Sequence, residues 1–155
     1  MTINETIREA LTLVPEITDF FYADPDQVMS NVAVGATPLF RLMRTNDTIG
    51  ATQVANNYSQ EEYFMLSQVM GDTPEGDDEE AAENRLITLM CKTFAAFHKV
   101  GLTFETVSTI TWARRTTPSY ALGLLFRITI KDTFTFVGDC VTQRYAPDPL
   151  PDEQC

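Results

Sequence analysis

The chain has 155 residues, 44% of them hydrophobic, which is enough for one packed core and too apolar for a disordered chain. Its 11 basic against 22 acidic residues give a formal charge of −11. That sign opposes extended contact with phosphate backbones or anionic lipid, which argues against sequence-specific nucleic-acid binding and against a membrane partner.

The positive charges that do cluster, Arg41 with Arg44 and Arg114 with Arg115, lack interleaved aromatics and read as scattered surface arginines. No stretch approaches the ~20 apolar residues needed to cross a bilayer, and Met1–Glu5 has no basic, then apolar, leader pattern. The product is therefore expected in the cytoplasm when it is made. Cys91, Cys140 and Cys155 are widely spaced, with no C-x-x-C pair and a single histidine, His98, so free thiols are expected.

In chain order, Thr2 followed by Glu5 reads as a capping box, and Ile3, Ile7, Ala10, Leu11 and Val14 recur at helical spacing, which predicts a helix over 3–14. Ile17 to Tyr22 reads as a packed connector and Asp24-Pro25-Asp26 as a turn. Two short apolar runs, Leu39 to Arg44 after Pro38 and Tyr63 to Met70 before Gly71, read as strands joined by a long polar connection, Thr45 to Gln60.

Seven acids lie in 71–83, after which Ala82, Leu86, Leu89, Met90, Thr93, Phe97 and Val100 trace a helical stripe. This predicts a deeply buried helix over 79–100, with Gly101 as its C-terminal cap. Phe104 to Arg115 and Leu124 to Ile130 read as a β-hairpin. The expected fold is α+β: an antiparallel sheet of about four strands with two helices on one face, in the order α-β-β-α-β-β. Residues 1–138 would form one domain and 139–155, with Pro147, Pro149 and Pro151, an extended tail. Leu86, Leu89, Met90, Phe97, Phe126 and Ile128 are the expected core between helix and sheet.

The chemistry-bearing residues offer no catalytic set. His98 sits beside Phe94 and Phe97 and reads as a half-buried structural histidine, and no nucleophile elbow, zinc motif or phosphate-cradling glycine loop is present. The acids of 71–80 lack the ligand alternation of a calcium loop and read as a solvated segment at a helix N-terminus. No cofactor and no enzyme activity are expected. Trp112 is assigned to the core and Tyr120 to an interface.

Taken as an ordered set, these elements resemble the tail-terminator and head-to-tail connector proteins of tailed bacteriophages. The likeness lies in a first helix ending near Asp24-Pro25, a strand at Pro38-Leu39-Phe40, a polar hairpin, a long second helix, and a last hairpin ending in Leu125-Phe126-Arg127-Ile128-Thr129-Ile130. Tyr120-Ala121-Leu122-Gly123-Leu124 and Gly138-Asp139-Cys140 look like small structural proteins from phages of gut Bacteroidetes.

The resemblance implies a homo-oligomeric ring, hexameric or dodecameric, in the neck or at the tail end of a virion, joined to other neck or tail proteins. With helix stripes and strand faces assigned to the core, the subunit contacts are expected from the connection and the tail: Asn46, Asp47, Asn56, Asn57, Tyr58, Tyr120, Arg144, Tyr145, Pro147 and Pro149. The alternative reading is an acidic cytoplasmic binding module, such as an immunity-type protein that neutralises a basic partner.

Overall fold

The computed structural model describes residues 2–43, 51–54, 56–71, 76–115, 120–145 and 153–154. The fold is mixed α+β, and its centre is a pair of long antiparallel strands, β4 (Asn57–Gly71, 15 residues) and β6 (Tyr120–Val137, 18 residues). On the β4 side lie β2 (Pro38–Arg41), with β1 (Asp19–Tyr22) parallel beyond it, and β3 (Ala51–Val54). On the β6 side lie β5 (Phe104–Arg115) and β7 (Cys140–Gln143), with β8 (Glu153–Gln154) outside β7.

The sheet thus has eight strands among the described residues, not four. The connection 45–60 contains a hairpin of its own, and part of the stretch read as tail is sheet. Asp19–Tyr22 is a strand and not a connector.

Helix α1 (Ile3–Leu11) starts as its sequence predicts: Thr2 Oγ1 accepts the Glu5 N–H, and Glu5 Oε2 accepts the Thr2 N–H. It ends at Leu11, so Val14 reaches the core from the turn after it. Asp24 caps a short helix, α2 (Pro25–Val28), which runs into a 3-10 turn at Met29–Asn31. Pro25 at the first helical position fits this start as well as it fits a turn. Helix α3 (Gly76–Lys99, 24 residues) closes at Gly101, whose φ of +83° allows Leu102 N–H to reach Phe97 O and Gly101 N–H to reach His98 O.

Alternation along β6 sets the two faces. Leu122, Leu124, Phe126, Ile128 and Ile130 point to one side, where α1 and α3 bury them with Leu39, Phe64, Leu66, Leu86, Leu89, Met90 and Phe97. The six expected core residues are all here. Ala121, Gly123, Leu125 and Arg127 point to the other side. There Met29, Phe40, Met65, Val69 and Ala121 form a smaller cluster under α2 and the 3-10 turn. Gly123 leaves room for Met65: a Cβ at that position would lie 2.9 Å from the Met65 sulfur.

At 1.5 Å per residue α3 spans roughly 36 Å, whereas β6 at 3.3 Å per residue spans roughly 60 Å. The sheet outruns the helix. Beyond Ile130 the ladder breaks at Asp132, which has φ of +56° and donates its N–H to Ser59 Oγ, and β7 then replaces β5 as the partner of β6.

At that end the core closes on an ion pair. Arg41 is 8% and Glu62 1% exposed, and Arg41 Nε and Nη2 donate to the two Glu62 oxygens at 3.0 Å. Arg41 is therefore not the surface arginine expected from its neighbours in sequence. Arg44, Arg114 and Arg115 are not described at the side-chain level. The free-thiol expectation holds for exposed Cys91 but not for Cys140, which is disulfide-bonded. Separation along the chain does not measure separation in space, and the latter decides whether two thiols can join.

Candidate functional site

The part of the second sheet face beyond α2 leaves large side chains exposed. Cross-strand register places Tyr63 opposite Arg127 and Met65 opposite Leu125, with Thr111 of β5 next to Leu125. Together with Leu42 and Met43 after β2, these residues line two adjoining depressions of about 220 and 200 Å³ that share Leu125. Met43 is 51% and Tyr63 44% exposed. Among the described residues nothing covers this strip.

Its polar end is Arg127. The guanidinium carbon lies 5.8 Å from the Tyr63 ring centroid, Nη1 is 3.4 Å from the Tyr63 hydroxyl, and the same nitrogen is 3.8 Å from Glu61 Oε2. The Tyr63 hydroxyl first, then Glu61, hold this arginine more firmly charged than usual. Its Nε is buried and has no hydrogen-bond partner among the described residues. A buried donor left unsatisfied is costly.

A second feature adjoins the strip. β5 is a 12-residue strand that pairs with β6 on one side, and among the described residues no strand pairs with its outer edge. Unpaired edges of that length template further strand pairing. The register shift between Val107 and Thr111 interrupts the edge, leaving two regular parts, 104–107 and 111–115.

The residues expected to form subunit contacts are dispersed. Asn46, Asp47, Pro147 and Pro149 lie outside the described residues. Asn56 and Asn57 are exposed at the β3–β4 turn, and Asn57 Oδ1 accepts the Thr135 hydroxyl. Tyr58 is half-buried, edge-on to Phe134 with centroids 5.8 Å apart. Arg144 is exposed and donates to Thr103 Oγ1 and to Gly101 O. Tyr120 and Tyr145 are each 9% exposed; the first donates its hydroxyl to Glu79 and the second belongs to the main core. Burial raises the Tyr145 pKa above its usual value. These two tyrosines are engaged inside the subunit.

Other expectations shift as well. His98 is exposed and stacks on Phe104 at 4.5 Å, so it is a surface histidine and not a half-buried one. Trp112 is 39% exposed near the start of the second regular part of β5, and hence not core. Of the acids in 71–83, Asp78, Glu79, Glu80 and Glu83 lie in the first turns of α3, while Asp72 and Glu75 lie outside the described residues. Among the described residues no three His, Cys, Asp or Glu side chains are grouped to hold a metal ion, and no helix is long and apolar enough to cross a membrane.

The open strip was legible only in part. Tyr63 and Leu125 belong to the runs read as strands, and period-two alternation separates their face from that of Phe64 and Phe126. Nothing local in sequence states how far α2 reaches across it. No family model matches the chain, and no curated protein matches it, so its function rests on the geometry above.

Proposed function

We propose that the chain is a structural subunit of a tailed-phage virion, of the tail-terminator or head-to-tail connector type. It forms an oligomeric ring in the neck or at the tail end through protein–protein contacts and carries out no catalysis. The observation that carries this reading is the open strip on the second sheet face: exposed Met43 and Tyr63 around Leu125, beside the buried Arg127 Nε. Large exposed side chains grouped around a cleft and rimmed by polar groups are what a protein contact needs. In a ring the contact is heterologous, so the strip of one subunit meets a different surface of the next. The regular edge of β5 and the exposed Asn56-Asn57 turn are the candidates for that second surface.

The charge of −11 fits a channel wall along which DNA slides without sticking. It fits equally an acidic module that binds one basic partner, and the oligomeric state separates the two. Negative-stain electron microscopy of the purified chain at micromolar concentration should show closed rings of six or twelve subunits. A monomer at every concentration tested would remove the ring and leave the acidic binding module.

A further inference from the structure

We infer that the cleft at the far end of the helix-covered face, around the Arg41–Glu62 pair, is a binding site for a small, neutral, hydroxyl-rich molecule of about monosaccharide size. It goes beyond the assembly role and uses none of the open strip. The cleft holds about 390 Å³, within the range of roughly 300–1,000 Å³ usual for small-ligand sites. It exists because the sheet continues past α3, leaving the N-terminus of α1 to form one wall and β1, β4, β6 and β7 the others.

Charge selects the ligand class. Both Glu62 oxygens accept from Arg41, and Arg41 Nη1 donates to Asn4 Oδ1 at 2.8 Å. An anion would have to displace Glu62 from the guanidinium and separate a carboxylate that is 1% exposed from Arg41. A cation would have to displace Arg41 at the same cost. A neutral molecule disturbs neither group.

The remaining polar groups offer both signs of hydrogen bonding. Gln60 Nε2 donates to Glu62, and Gln143 Nε2 donates to Tyr145 O, so each glutamine keeps its side-chain oxygen as an acceptor, while Asn4 keeps its two Nδ2 donors. Tyr22, Phe134 and Tyr145 supply ring surface between them, and the Tyr22 ring is backed by the Arg41 guanidinium at 4.4 Å. Aromatic faces alternating with amide donors and acceptors match a sugar ring, whose C–H faces are apolar and whose rim carries hydroxyls.

The test is an NMR titration of the full chain with four probes: D-glucose, N-acetyl-D-glucosamine, inorganic phosphate and N-acetylalanine methylamide. One of the two sugars should shift Asn4, Tyr22 and Gln60 saturably, with Kd on the order of 1 mM. Gln60→Ala and Tyr22→Ala, each with an unchanged fold by circular dichroism, should weaken that binding about tenfold. Shifts from phosphate at these residues, or stronger binding of the blocked amino acid than of either sugar, would overturn the assignment. So would the absence of a saturable shift with both sugars, or binding unaffected by both substitutions.

Discussion

The two faces of one sheet are finished differently. On the helix-covered face aromatic rings interlock: Phe64 and Phe126 stack at 5.4 Å, Phe94 meets Phe126 edge-on at 5.3 Å, and Phe97 crosses Phe104 at 5.9 Å. On the other face α2 and the 3-10 turn cover Met65 and Ala121, but Tyr63 and Met43 stay exposed and Arg127 Nε has no partner among the described residues. The first face is built for stability of the subunit. The second keeps large side chains exposed.

The contrast is sharpest in the cost of substitution. Phe97→Ala, at a fully buried site, should lower stability by about 3–5 kcal/mol in chemical denaturation. Glu62→Gln should cost a similar amount, about 3–5 kcal/mol, because it leaves Arg41 buried with no opposite charge. The double variant Arg41→Met, Glu62→Leu should be less damaging than Glu62→Gln alone, since it removes both desolvated charges together. A double variant at least as unstable as Glu62→Gln would contradict this.

How much of this was legible in the sequence depends on the range of the signal. The alternation of Leu122, Leu124, Phe126, Ile128 and Ile130 and the stripe from Ala82 to Phe97 are local patterns, and they place the closed face and its six expected core residues. Asp19-Phe20-Phe21-Tyr22 is too short to declare itself, and its parallel partner β2 lies across α2, so no hairpin signal marks it. The open strip was hidden by a different assumption. Assigning every strand face to the core pushed the expected contacts into loops, yet α2 is four residues long and covers only part of its face. Likewise, the stretch read as a tail supplies β7, and Tyr145 belongs to the core. Removing residues 141–155 should therefore damage the subunit itself, and a chain ending at 145, which lacks β8 and keeps only the free Cys91 besides Cys140, should also melt at a lower temperature.

A smaller effect is expected at the start of α1. Thr2→Ala removes the cap and should cost about 1 kcal/mol, read as a lower melting temperature. The backbone N–H of Thr2 depresses the Glu5 pKa, so the Glu5 contribution is present above the ordinary glutamate pKa of 4.5. It is lost as the pH falls through the lower, folded value. The difference between wild type and Glu5→Gln should shrink over that acid range; a constant difference down to the lowest pH would place the effect elsewhere.

The smallest stability change belongs to the open strip. Tyr63→Asp replaces a half-exposed side chain and should alter the stability of the isolated subunit by no more than about 0.5 kcal/mol. The same substitution places a carboxylate in the centre of the proposed contact. Sedimentation velocity of wild type and Tyr63→Asp, with thermal melts run in parallel, tests the account most directly. Wild type should sediment as an oligomer and the variant as a folded monomer with a nearly unchanged melt. A variant that sediments as the same oligomer as wild type would contradict it.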